Sequence, residues 1–216
     1  MLVDERLGTF MRSFEASYPE QLHSLMLQAR EDDVPIIRED MQEYLRFLML
    51  TVRPKNLLEV GTAVGFSALL MSEYAPADAK ITTIEKYEPR IEQAHKNFAA
   101  FGKAEQITLL EGDAAEILPT LAGGYDFIFM DAAKGQYIHF LPEVLRVLAP
   151  GGMLISDNVL KDREVLESRF AVTRRDRTIH TRMREYLHAL KESPLLTTTI
   201  LPIGDGITVS VKKESV

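Results

Sequence analysis

Two β-rich runs near the end of this chain, Thr197 to Leu201 and Ile207 to Lys212, are joined only by Pro202-Ile203-Gly204-Asp205-Gly206. A link that short cannot hold a crossover helix, so the two strands must be antiparallel. The sequence before them reads the opposite way. Leu57–Val60, Lys80–Ile84, Ile107–Leu110, Tyr125–Met130 and Met153–Ser156 are short apolar runs separated by helix-like stretches. Phe66–Tyr74, Glu88–Phe101 and Phe140–Leu148 are the clearest of these helices, the last closed by Pro150-Gly151-Gly152. Tyr125–Met130 is apolar on both faces, as a central parallel strand should be. The alternation predicts an α/β fold with a doubly wound parallel sheet and right-handed crossovers. With the hairpin added, seven strands are expected, mostly parallel, with an antiparallel C-terminal end.

Residues 1 to about 52 read as helical. Leu22, Leu25, Met26 and Ala29 share one face, as do Met41, Tyr44, Leu45 and Leu48. Asp32-Asp33-Val34-Pro35 separates the two blocks. At 216 residues the chain suits one domain, 1–216, with 1–52 as an N-terminal helical extension. A hydrophobic share of 46% beside a charged share of 26% fits a soluble globular protein, and no apolar run reaches bilayer length. Met1 to Phe14 carries Asp4, Glu5, Arg6 and Arg12 and has no apolar signal core, and with no cysteine in the sequence a reducing, cytoplasmic location is expected. The absence of cysteine excludes disulfides, thiolate metal sites and a thiol nucleophile. A net charge of −7 argues against a dedicated nucleic-acid binder but not against a local basic surface. The apolar N-terminal helices point to a homodimer.

The chemistry-bearing residues fall at the C-terminal ends of the expected strands. Glu59-Val60-Gly61-Thr62-Ala63-Val64-Gly65 follows a strand and precedes a helix, the setting a nucleotide-cofactor loop requires. Its spacing lacks the compact Gly-x-Gly-x-x-Gly turn for a pyrophosphate. Gly61 and Gly65 would let a ligand approach the backbone closely. Glu59 is acidic and aimed at the loop, which suits a cationic amino-acid moiety. S-adenosylmethionine has such a group and NAD does not. Glu85 ends the next strand, roughly 20 residues on, where an acid takes the ribose hydroxyls. Asp113 and Ala114, after the third strand, are placed to meet an adenine edge.

Asp131 and Asp157-Asn158 each follow an apolar strand. If those strands are neighbours, two carboxylates and an amide oxygen converge as hard donors. That set suits Mg²⁺, with Mn²⁺ or Ca²⁺ as alternatives, and leaves positions for substrate oxygens. Lys134 lies three residues beyond Asp131. A nearby cation would favour its neutral, proton-accepting form. His23, His95, His139, His180 and His188 show no ligand spacing.

At these residues the chain resembles the cation-dependent O-methyltransferases, the family that includes catechol and caffeoyl-CoA O-methyltransferases. Asp131-Ala132-Ala133-Lys134-Gly135-Gln136-Tyr137, Asp157-Asn158-Val159-Leu160 and Pro202-Ile203-Gly204-Asp205-Gly206 bear the likeness, which spans the whole chain. Within that family it is most similar to the bacterial branch that includes tRNA 5-hydroxyuridine methyltransferase, with which it also shares Val34-Pro35-Ile36. The resemblance implies the class I methyltransferase (Rossmann-like) fold. It implies S-adenosylmethionine contacts at Glu59, Gly61, Ser67, Glu85, Asp113, Ala114 and Asp131. It implies metal ligands at Asp131, Asp157 and Asn158, with Lys134 as the catalytic base beside Asp131. Ile37 stands where relatives often have a methionine that packs on the cofactor.

A metal-assisted methyl transfer to oxygen would favour an acceptor with two adjacent oxygens, one of which is aimed at the methyl group. A catechol offers such a pair, and so does 5-hydroxyuracil. Between Arg163 and Arg184 seven arginines stand against three acids, a local balance of +4. This segment, with Arg174 and Arg175 at its centre, follows the metal pair and reads as a phosphate-binding rim for tRNA. The acceptor expected is therefore the 5-hydroxyl of a tRNA wobble uridine, giving 5-methoxyuridine. A small catechol-like acceptor is the alternative. A non-catalytic S-adenosylmethionine-binding module is the reading from another class.

Overall fold

The computed structural model describes residues 5–14, 17–160, 165–168 and 170–214. Three helices come first: α1 (Glu5–Arg12), α2 (Glu20–Glu31) and α3 (Glu39–Val52). The alternating part follows as β1 (Asn56–Val60), α4 (Phe66–Tyr74), β2 (Lys80–Glu85), α5 (Glu88–Ala100), β3 (Ile107–Glu111), α6 (Ala114–Ile117), β4 (Tyr125–Met130), α7 (Tyr137–Val147) and β5 (Leu148–Ser156). Helix α8 (Arg177–Glu192) leads into the hairpin β6 (Leu196–Leu201) and β7 (Ile207–Lys212). Among the described residues no helix is long and apolar enough to cross a membrane.

The seven strands form one sheet in the order β3-β2-β1-β4-β5-β7-β6. The first five run parallel, and β7 pairs antiparallel with both β5 and β6. This is the mixed sheet expected from the alternation and the short terminal link. From β1 the chain moves outward through β2 to β3. It then returns to the other side of β1 as β4 and continues to β5. The reversal between β1 and β4 opens a crevice at their C-terminal ends, where open α/β sheets bind ligands.

Strand alternation divides the core into two layers. Leu57, Ile81, Phe127, Phe129 and Ile155 face one side, against Met26, Leu45 and Met49 of α2 and α3 and Leu69 of α4. Leu58, Val60, Ile128, Met130 and Leu154 face the other, against Val144 of α7 and Met183, Tyr186 and Leu190 of α8. Burying both faces accounts for the unbroken apolar runs. The N-terminal helices α2 and α3 thus share a core with the sheet.

Three boundaries depart from the sequence reading. Residues 1–52 contain a third, short helix, α1, before Pro19. Helix α7 begins at Tyr137 rather than Phe140 and holds Pro142 inside it, at the cost of one helical hydrogen bond. Pro150-Gly151-Gly152 does not follow the helix as a separate stop. Strand β5 already starts at Leu148, and the pairing with β4 shifts register between Tyr125 and Phe127. That irregularity absorbs a proline and two glycines within a strand.

Candidate active site

A cleft of about 620 Å³ lies over the C-terminal ends of β1, β2, β4 and β5. Of the residues singled out in the sequence, Ile37, Gly61, Ser67, Glu85, Asp113, Ala114, Asp131, Lys134, Asp157 and Asn158 all line it. Glu59 lies beneath the loop, fully buried, and Arg174 and Arg175 are exposed away from the lining.

The loop after β1 is built by hydrogen bonds back to β2. Gly61 and Thr62 donate their N–H groups to the Ile84 carbonyl at 3.0 and 3.2 Å. Ala63, in the left-handed region at φ 47°, donates to Glu85 Oε2 at 2.9 Å. Glu85 Oε1 takes the N–H groups of Lys86 and Tyr87, both at 2.9 Å. Three backbone donors therefore hold the Glu85 carboxylate in one orientation, and its remaining lone pairs can meet a ligand. The glycines also answer a packing demand. A Cβ on Gly61, at φ 103°, would strike the Asp131 carbonyl, and one on Gly65 would strike the Phe98 ring. They are needed so that the loop can pack against β4 and α5, whatever lies above it.

Glu59 takes part in a buried relay. The Thr83 hydroxyl donates to its Oε2, and the Thr62 and Thr83 hydroxyls lie 2.5 Å apart. Burial pushes the Glu59 carboxyl up to about 7, with the Asp131 and Glu85 charges adding to the rise and the Ser67 and Thr83 hydroxyls opposing it. On the opposite wall, Asp113 caps α6 by accepting the Ala115 N–H and pairs with Lys86 at 3.1 Å. The backbone bond and the lysine hold it below the usual carboxylate range.

Strand register brings the acidic pair together. Met130 of β4 pairs with Ser156 of β5, so Asp131 and Asp157 leave the sheet side by side. The backbone ladder runs one step past each strand, from Asp131 N–H to the Val60 carbonyl and from Asp157 N–H to the Met130 carbonyl, both 3.0 Å. The buried Tyr137 hydroxyl lies 3.1 Å from the carbonyls of both Met130 and Asp157 and ties the two ends together. Asn158 sits at φ 58°, a conformation asparagine tolerates, and its Nδ2 donates to Asp131 Oδ1 at 3.0 Å. Lys134 opens a 3₁₀ turn, Lys134–Gln136, and Arg182 of α8 braces that turn through the Gly135 carbonyl at 3.1 Å.

Burial raises both Asp131 and Asp157, and the Asp131 charge raises Asp157 further. Two recessed carboxylates that repel one another fit a divalent cation, which would relieve the repulsion. Among the described residues no three carboxylate, imidazole or thiol groups converge on one such position. The candidate set is two carboxylates and an amide, and Asn158 would turn its amide over to present oxygen.

The profile of the O-methyltransferase family matches residues 12–213. The chain belongs to that family. Caffeoyl-CoA O-methyltransferase 5 of Nicotiana tabacum is 33% identical over 184 residues, 79% of this chain and 74% of the tobacco protein. A catechol O-methyltransferase of Niastella koreensis is 35% identical over 130 residues, 58% of each chain. Among solved structures, the S-adenosylhomocysteine-bound methyltransferase of Podospora anserina superposes with a TM-score of 0.88 at 24% identity. The match covers 97% of this chain and 95% of that one. This likeness establishes the shared fold.

Arg38 and Asp205 are among this O-methyltransferase's cleft residues that sequence reasoning missed. Asp205 belongs to a stretch read only as a turn and a family mark, and Arg38 precedes a helix. The arginine-rich segment also divides. Arg163 and Arg169 lie outside the described residues. Arg177, Arg182 and Arg184 donate to the carbonyls of Val172, Gly135 and Val165.

Proposed function

We propose that this O-methyltransferase uses S-adenosylmethionine and a divalent cation to methylate one of two adjacent oxygens on its acceptor. The observation that carries the reading is the meeting of Asp131, Asp157, Asn158 and Lys134 at one end of the cleft whose other end offers Glu85 and Asp113. Glu85 would accept from the ribose hydroxyls, Asp113 and Ala114 would face the adenine, and Ile37 would pack on the cofactor. The methyl group comes from the sulfonium of S-adenosylmethionine. Positive charge favouring an ionised acceptor hydroxyl comes from a divalent cation held by Asp131, Asp157 and Asn158. Lys134 would take the acceptor proton on Nζ.

For the acceptor, we propose the 5-hydroxyl of a wobble uridine in tRNA, giving 5-methoxyuridine. Arg174 and Arg175 are exposed on the segment that follows the carboxylate pair, where they could meet phosphates. An anticodon loop can splay the uracil into the cleft without opening a duplex. The relative named catechol O-methyltransferase favours a second reading, a small catechol-like acceptor. Hypomodified tRNA bearing 5-hydroxyuridine, incubated with the enzyme and S-adenosylmethionine, is expected to yield 5-methoxyuridine by nucleoside mass spectrometry. Neutralising about three phosphates would give a log–log salt slope of about −2. Arg174→Ala with Arg175→Ala should raise the KM for tRNA and spare turnover of a free catechol. Efficient catechol methylation with no 5-methoxyuridine would overturn the RNA reading in favour of the second.

A further inference from the structure

Arg38 occupies a position that helix physics disfavours. It is the N-cap of α3, and its side chain caps nothing. Ser, Thr, Asp or Asn would normally stand there, and the positive end of the helix dipole repels a guanidinium. Instead Arg38 Nη2 reaches Asp205 Oδ2 at 2.8 Å, with the arginine side chain 47% and the aspartate side chain 9% exposed. The first turn of the helix adds a second connection, because Asp40 Oδ2 accepts the Gly204 N–H at 2.7 Å.

Both ends of this clasp matter to the cleft. On one side, Pro35, Ile36, Ile37 and Arg38 form a strap along the cleft wall, anchored also by Gln42 Nε2 to the Ile37 carbonyl at 2.8 Å. On the other, the hairpin loop is stitched to the residues just past the carboxylate pair. Val159 N–H donates to the Gly206 carbonyl at 2.8 Å and Leu160 N–H to the Asp205 carbonyl at 2.9 Å. Asp205 lines the same cleft as Asp157, and its charge is among the causes that raise Asp157.

We propose that Arg38 is a positioning residue that holds the strap against the hairpin loop, and that its charge sets cofactor affinity and cation affinity against each other. The inference rests on the reading that the cleft takes S-adenosylmethionine and a divalent cation. The Arg38 clasp steadies the wall against which the cofactor packs. The same positive charge offsets that of Asp205, whose own charge acts on Asp157, and so weakens the pull of the acidic pair on a cation.

The test uses the full chain, with S-adenosylhomocysteine binding followed by calorimetry and Mn²⁺ binding by electron paramagnetic resonance. Arg38→Ala should weaken S-adenosylhomocysteine about fivefold, as for loss of a partly exposed ion pair, and tighten Mn²⁺ about threefold. Asp205→Asn breaks the same clasp but removes a negative charge. It should weaken S-adenosylhomocysteine by a similar factor and weaken Mn²⁺. Arg38→Lys should restore wild-type Mn²⁺ affinity. Opposite Mn²⁺ shifts in the two variants, with cofactor shifts of the same sign, support the proposal. Parallel losses of both ligands in both variants, or no change in either, overturn it while leaving the site reading intact. A wild-type chain that binds neither ligand overturns the site reading itself.

Discussion

Glu59 is the residue with the largest separation between its place in the sequence and its behaviour in the fold. On paper it is an acid aimed at a cofactor loop. In the structure it lies under that loop, fully buried, and its carboxyl is pushed up to about 7. A raised folded-state value means the folded protein holds the proton more tightly than the unfolded chain does. Its stabilising effect is therefore complete below about 4.5, the ordinary value, and is lost as pH rises through about 7. The shift corresponds to about 3 kcal/mol as an upper bound. Glu59→Gln removes this linkage. Urea unfolding of the ligand-free protein should show wild type losing up to about 3 kcal/mol more than the variant between pH 5 and pH 8. Equal losses would show that Glu59 is not the titrating group. The residue's position was legible from the strand–loop pattern. Its relay through Thr83 and Thr62 was not, because those hydroxyls come from a neighbouring strand and from the loop itself.

The elements that sequence patterns placed well are those governed by local periodicity. Phe66–Tyr74 and Tyr125–Met130 have the bounds expected, because apolar period and flanking turns agree. Strand β5 was cut short because Pro150-Gly151-Gly152 is a strong local stop signal, and only pairing with β4 overrides it. The candidate site was legible wherever it depends on strand ends. It was hidden wherever distant segments meet. The Gly204–Asp40 bond joins residues 164 positions apart, and no spacing rule foretells it. The hairpin loop also carries a packing demand that can be tested. Gly206 sits at φ 81°, and a Cβ there would run into Leu160. Gly206→Ala should destabilise the protein by about 2 kcal/mol or more through strain and overlap. Leu160→Ala in the same chain should recover part of that loss. A double-mutant cycle of denaturation midpoints measures the coupling, and strict additivity would refute the contact.

At the scale of the whole molecule, parallel strands end in a crevice whose acidic pair works against the fold that builds it. Asp131 and Asp157 share a recessed site, and both are raised by burial. By the same linkage, each contributes stability at low pH that is lost as pH rises through its elevated folded value. The metal-free protein should therefore be weakened at alkaline pH, and a divalent cation should reverse the loss. At 100 times its dissociation constant a ligand adds about 2.7 kcal/mol, or roughly 5–10 °C in Tm for a chain of this size. Asp157→Asn separates the two effects. It removes the repulsion, so the metal-free variant at pH 8 should melt above metal-free wild type. It also removes a ligand, so added Mg²⁺ should barely move its Tm. The two melting series should then cross as Mg²⁺ is titrated: variant higher without the ion, wild type higher with it. A variant that is less stable in both conditions would mean that Asp157 serves the fold and not the cation. A wild type indifferent to Mg²⁺ would remove the cation from the site and leave Asn158 bonded to Asp131 as a simple loop closure.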